Sequence, residues 1–233
     1  MNEYIGKDLE SMSFAQNYSK WLVELCEPYL GSTVAEVGAG TGNLTDLFSR
    51  HPDIEKLIAF EPSEKMSTIL NDRLNHNKRI SIVNNTLIDE KDNYNNSFDT
   101  IVYMNVLEHI KNDKNEILTI FNNLKEKGYV CIFVPALSFL YSEFDKSIGH
   151  HRRYHKQQLI DLFQSQGFNI INVRYVDMLG IIPWYIAFVL LRKGLNNNNT
   201  SIYDKIAIPI IRIVENIITP PIGKNLLLIA QKP

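Results

Sequence analysis

Apolar residues along this chain change their spacing repeatedly, and each change marks an element. Over residues 13–30, Phe14, Trp21, Leu22, Leu25 and Leu30 recur at helical intervals and predict a helix. The pattern then contracts to a buried run, Val34, Ala35 and Val37, that stops at Gly38-Ala39-Gly40-Thr41-Gly42. A short helix over Asn43 to Arg50 leads to a second strand, Leu57 to Phe60, and Ser63 is placed to cap a helix over 64–75. Ile80 to Val83 and Thr100 to Met104 read as strands three and four, with a polar loop over 89–97 between them. Asp113 precedes a helix over 114–126, expected to end at Gly128; Tyr129 to Val134 is strand five, closed by Pro135. Beyond it come an amphipathic helix over 156–166 ended by Gly167, and a strand over Phe168 to Val176. Then follow an apolar segment over 178–193, a loop at Asn197-Asn198-Asn199, a helix over 202–217 and a final strand, Leu226 to Ala230.

Strands separated by helical segments of roughly 10–15 residues predict an α/β, doubly wound, mainly parallel sheet with helices on both faces. No internal repeat or long linker divides the chain, so residues 1–233 are expected to form one domain, with an N-terminal helical lid (1–32) and a helical insert (178–222) before the last strand.

Composition narrows the picture only a little. Hydrophobic residues make up 45% and charged ones 21%, which argues against disorder, a collagen-like chain and a coiled coil. A net charge of −2 provides no global field for nucleic acid. The two cysteines, Cys26 and Cys131, lie in separate apolar runs and build neither a disulfide framework nor a zinc site, so no metal is expected. The first residues lack a basic flank and apolar core, so no signal peptide is expected. Leu179 to Leu191 falls short of the ~20 residues a spanning helix needs. A cytoplasmic monomer or homodimer is the expectation.

The glycine cluster carries the first chemical signal. A strand, then Gly-x-Gly-x-Gly, then a helix sets backbone N–H groups and a helix N-terminus against a ligand. A dinucleotide fingerprint would put glycine where Asn43 stands, and Glu36 would repel a pyrophosphate. A nicotinamide dehydrogenase is therefore the weaker reading. S-adenosylmethionine, which has an ammonium, a sulfonium and a ribose diol but no phosphate, fits better. Glu61, 23 residues after Gly38, is placed to accept from both ribose hydroxyls.

These residues resemble the class I S-adenosylmethionine-dependent methyltransferases. Val34 to Gly42 is similar to that family's first motif, Phe60-Glu61-Pro62-Ser63 with Met66 to its second-strand motif, and Phe98 to Val102 with Asn105-Val106-Leu107-Glu108-His109-Ile110 to its fourth-strand motif; Leu124 to Val130 resembles the turn into strand five. The resemblance implies a Rossmann-like seven-stranded sheet whose last strand is antiparallel. It also implies that Gly38, Ala39 and Gly40 lie under the methionine portion of the cofactor, with Glu36 close by and Glu61 on the ribose. Pro62 and Met66 would flank the adenine, and Asn105 and Val106 would line the methionine side. After strand three, where the family often has an acidic residue for the adenine amino group, this chain has Asn84-Asn85, and the expected acceptor is the Asn85 amide oxygen or a backbone carbonyl.

For the methyl acceptor, taken to be a small molecule such as a secondary metabolite or a sugar or lipid precursor, two segments stand out. Asn17 to Trp21, with Tyr18, is expected to fold over the cofactor. Pro135 to Tyr154 resembles a bacterial subgroup carrying Gly-His-x-Arg-Arg-Tyr after strand five. There His150 is the expected base, Tyr18 and His109 are further catalytic candidates, and Tyr141, Arg152, Arg153 and Tyr154 are substrate-binding candidates. The same run also reads as a loop anchor with Asp145 as internal ion-pair partner. The apolar segment 178–193 leaves three roles open: burial or dimer contact, a cover over the acceptor, and contact with lipid. A catalytically silent cofactor-binding or scaffolding protein of the same fold remains the alternative function.

Overall fold

The computed structural model describes residues 15–192, 201 and 203–233. Seven strands, β1 (Thr33–Val37), β2 (Lys56–Phe60), β3 (Ile80–Val83), β4 (Phe98–Met104), β5 (Leu124–Pro135), β6 (Asn169–Val176) and β7 (Asn225–Gln231), form one sheet in the order β3-β2-β1-β4-β5-β7-β6. The first five strands pair in parallel, and β7 runs antiparallel between β5 and β6. Reversal of strand order at β1 and β4 opens a crevice at their C-terminal ends, where open α/β sheets bind ligands.

Strand alternation feeds two cores. Ala35, Val37, Ile101, Tyr103, Val130, Ile132, Leu226 and Leu228 face one way, onto α4 (Asp113–Asn123) and α6 (Lys156–Gln164). Val34, Val102, Cys131, Phe133, Leu227 and Ile229 face the other, onto α1 (Gln16–Cys26), α2 (Asn43–Ser49) and α8 (Ile208–Ile217). Such near-continuous apolar strands are expected of a sheet covered on both sides. The remaining helices are α3 (Glu64–Leu74), α5 (Glu143–Ser147) and α7 (Ile181–Trp184), the last continued by a π-helical turn over Tyr185–Leu190.

Several boundaries differ from the sequence expectation. Phe14, Asn197 to Asn199 and residue 202 lie outside the described residues. Helix α1 stops at Cys26, and Pro28 falls in a 3-10 turn, Glu27–Tyr29, that closes it. Helix α4 ends at Asn123 rather than 126, because Leu124 already pairs with Phe98 and starts β5. Ser63 caps α3 as expected: its hydroxyl accepts from the Met66 N–H at 3.4 Å. The start of α1 is finished from far along the chain. The Asp204 carboxylate accepts from the Asn17 and Tyr18 N–H groups at 3.0 and 2.8 Å, satisfying two donors that a helix N-terminus leaves open.

Candidate functional site

The turn after β1 is built by its glycines. Gly38, Gly40 and Gly42 have φ of +74°, +56° and +84°, a region that side chains disfavour, and a Cβ on Gly38 would collide with the Val106 side chain. Gly38 and Ala39 donate to the Phe60 carbonyl at 2.9 and 3.1 Å, tying the turn to the end of β2. Glu61 completes it: one carboxylate oxygen accepts from the Gly40 N–H at 2.7 Å and the other from the Ser63 N–H at 2.8 Å. Burial pushes the Glu61 carboxyl up, and those two hydrogen bonds offset part of the effect. Glu36 stands deeper. Among the described residues its Oε2 has no hydrogen-bond partner, and its carboxyl is pushed up to about 8 by burial, with the Glu61 charge adding to the rise and Thr45 opposing it.

Across the crevice, Asn105, the residue after β4, is held at φ +57°, and Leu137, two residues beyond β5, at φ +65°. Non-glycine residues in this region cost of order 1–3 kcal/mol each and cluster where a site demands them. The loop after β5 returns to the sheet through Tyr154, whose N–H donates to the Pro135 carbonyl at 2.9 Å. Between these points the charges pair internally. The Asp145 Oδ1 accepts from Arg153 Nε at 2.9 Å and lies 3.0 Å from His150 Nδ1, while its Oδ2 accepts from the Ser142 N–H and hydroxyl at 2.9 and 2.8 Å. Burial pushes the Asp145 carboxyl up, but the His150 hydrogen bond, the Arg153 charge and the Ser142 hydrogen bonds outweigh it and hold it below the usual carboxylate range.

The other face of His150 turns toward β4. Its Nε2 lies 3.6 Å from Glu108 Oε1, and its ring packs edge-on against His109 with centroids 4.6 Å apart. Glu108 is fully buried, and burial pushes its carboxyl up to about 8. His109 is pushed down to about 4 by burial and by the neighbouring His150 and His151, so it is neutral at pH 7. A half-buried imidazole pair beside a buried carboxyl, past the C-terminal end of β4, suits proton handling or cation binding.

A profile of the methyltransferase-domain family (Methyltransf_23) matches residues 8–173. The chain belongs to that family. Its cofactor is S-adenosylmethionine. No curated protein matches in sequence. Among solved structures, an S-adenosylmethionine-dependent methyltransferase from Archaeoglobus fulgidus is similar at 17% identity and TM-score 0.66, covering 97% of this chain and 99% of that one. The cyclase SpnF is similar at 16% identity and TM-score 0.64, over 94% and 81% of the two chains. A phosphoethanolamine N-methyltransferase of Haemonchus contortus, in complex with S-adenosylhomocysteine, is similar at 14% identity and TM-score 0.64, over 97% and 58%. These likenesses establish a shared sheet, and a shared sheet hosts more than one chemistry.

The methyltransferase's own residues fit the cofactor. The unpartnered Glu36 oxygen is a buried acceptor for an ammonium, and Gly38, Gly40 and Gly42 place no Cβ at three of the five positions of the β1 turn. Met66 is buried and Pro62 exposed at the start of α3, while Val106 packs on Gly38. Asn85 is engaged locally: its amide donates to Glu90 at 2.8 Å, and its oxygen accepts from the Thr86 N–H at 2.9 Å. Asn84 donates to the Glu61 carbonyl at 2.8 Å.

The acceptor-side candidates are dispersed among different tasks. Arg153 and Tyr154 are buried; Arg153 pairs with Asp145, and the Tyr154 hydroxyl donates to Asp113 at 3.0 Å. Arg152 also pairs with Asp113. Neither arginine therefore offers an unpaired guanidinium to an anion. Tyr141 is exposed, its hydroxyl donating to the His150 carbonyl at 2.8 Å. Tyr18 is buried against Phe133 and Trp21, and burial, followed by the charge of Asp177, raises its phenol far above the usual range despite a hydrogen bond with Asn105. Sequence reading passed over Asp113, taken only as a helix start, and assigned no role to Glu108. The signal for Glu108 was present: a carboxylate next to histidine inside an apolar run has to be partnered or neutral.

The apolar segment after β6 divides by face. Trp184 donates its indole N–H to the Leu140 carbonyl at 3.2 Å, packs tilted against Phe188 and edge-on against Phe144, and lies under Arg153 and Lys224. Leu179, Ile182, Tyr185, Ile186, Leu190 and Leu191 stay exposed, so only one face of the segment is covered by the body of the chain. Among the described residues, no helix is long and apolar enough to cross a membrane.

Proposed function

We propose that this methyltransferase transfers the cofactor's methyl group to an oxygen or nitrogen of a small-molecule acceptor, and that His150 takes the acceptor's proton. The observation that carries the reading is the orientation of His150: with Asp145 at Nδ1, its Nε2 is left as the acceptor nitrogen and turns toward the ends of β4 and β5. Bound cofactor supplies an electrophilic methyl on a sulfonium. The chain's share is positioning: the glycine turn and Glu36 fix the donor, and Asn105 and Val106 border the side from which an acceptor approaches in line. The neighbours that support a small acceptor do so by analogy, since one is a phosphoethanolamine N-methyltransferase.

Calorimetry with S-adenosylmethionine and S-adenosylhomocysteine, followed by label transfer from methyl-labelled cofactor across a panel of hydroxyl and amine metabolites, tests this. Micromolar cofactor binding with transfer to one acceptor class is expected; no binding at millimolar concentration defeats the reading. One observation favours a second reading, a cofactor-binding protein without turnover. Arg152 and Arg153 are both committed to internal carboxylates, so the loop presents no free cation as an anchor for an anionic acceptor. Cofactor binding with no transfer across the whole panel would favour it.

A further inference from the structure

We propose that Glu108, His109 and His150 form a binding site for a first-row divalent transition-metal cation, with Asp145 positioning His150. One ligand atom from each of the three residues lies within 4.8 Å of the other two. The Glu108–His150 separation, 3.6 Å, is close to the ~3.4 Å edge of a tetrahedron whose metal–ligand bonds are about 2.1 Å. Two imidazoles and one carboxylate form a donor set that suits zinc, cobalt or ferrous iron and leaves a position open.

Three observations argue that the group is a site rather than a chance cluster. First, both Glu108 carboxylate oxygens are buried without a hydrogen-bond partner among the described residues, a costly state for an acceptor pair that nothing fills. Second, the Nδ1–H of His150 is held by Asp145, which leaves the Nε2 lone pair facing a carboxylate oxygen. Two acceptors in opposition need a proton or a cation between them. Third, the supports are of the kind that orient metal ligands: a carboxylate behind His150 and the Gly149 backbone carbonyl behind His109. Arg153 balances Asp145, which leaves Glu108 as the carboxyl that a cation would engage, its proton being released on binding.

The inference does not depend on methyl transfer, although a bound cation would use the lone pair that the proposed function gives to His150. In a loaded protein, the acceptor's oxygen or nitrogen would meet the cation at its open position.

The test reads metal, not turnover. Full-length protein stripped with a chelator is titrated with Co²⁺ and followed by visible d–d absorption, with S-adenosylhomocysteine affinity measured in parallel by calorimetry. One equivalent is expected, with at least tenfold weaker binding in Glu108→Gln and in His150→Ala, and about 10–100-fold weaker binding in Asp145→Asn. Two substitutions at the cluster guard against one that disturbs folding, and retained cofactor affinity certifies the fold of each. No stoichiometric Co²⁺ uptake, or uptake unchanged in both Glu108→Gln and His150→Ala, overturns the site whatever the cofactor result.

Discussion

The two banks of the crevice are made in different ways. On the β1–β2 bank, backbone does the work: glycines at positive φ, N–H groups on the Phe60 carbonyl, and Glu61 bound to two further N–H groups. On the β4–β5 bank, buried and half-buried side chains answer one another: Asp145 with Arg153 and His150, Asp113 with Arg152 and Tyr154. A backbone cradle depends on a few adjacent residues and tolerates variation around it. A buried charge network depends on every member, because removing one strands its partner without water. The first bank is thus suited to an invariant ligand, the second to specificity.

The contrast can be broken deliberately. Gly40→Leu, at φ +56°, should abolish detectable cofactor binding in calorimetry while the protein keeps its far-ultraviolet circular dichroism; binding within tenfold of wild type would show that the turn does not hold the cofactor. Asp145→Ala should act on stability instead. It leaves the Arg153 guanidinium buried and unpaired, and about 3–5 kcal/mol should be lost in denaturant unfolding. A loss under 1 kcal/mol would mean that the network relaxes into solvent. His150→Ala should leave cofactor affinity nearly unchanged and lower turnover at least tenfold, about 1.4 kcal/mol in the barrier. An unchanged rate would remove His150 from the proton path.

The smallest effect is a slope. Glu36 folds with its carboxyl raised from 4.5 to about 8, so the folded chain keeps a proton that the unfolded chain releases. Its contribution to stability is complete below about pH 4.5 and fades as pH rises through about 8. The melting temperature of cofactor-free protein should therefore fall between pH 6 and 8.5, and fall less steeply in Glu36→Gln. Parallel slopes for the two proteins would contradict a protonated Glu36.

The backbone bank was legible in the sequence because its parts are neighbours: five consecutive residues make the turn, Ser63 caps the next helix, and Glu61 sits at the strand end. The strands also followed from local signals, and the seven-stranded sheet with its antiparallel last strand from the family's motifs. What escaped was non-local. Asp113 meets Arg152 across 39 positions and Asp204 meets Tyr18 across 186, and no local pattern encodes either contact. The helical reading of Leu124-Lys125-Glu126 failed for a similar reason: pairing with β4 overrides local helix propensity there. The segment after β6 looked apolar on every side because neither its inner partners, Leu140, Phe144 and Arg153, nor its exposed face can be read from composition.

The position of β7 sets a timetable for synthesis. Its residues, 225–231, are the last of the sheet to leave the ribosome, yet they fill the gap between β5 and β6. Until they arrive, the nascent chain carries the long apolar β5 with one edge bare and β6 with no neighbour in the sheet. Completion of this half must wait for pairings that span nearly 100 residues, a slow closure that leaves a sticky edge open to other chains. A ribosome stalled before residue 225 would thus release an aggregation-prone species, even though the glycine turn, nearly 200 residues earlier, had long been available to fold.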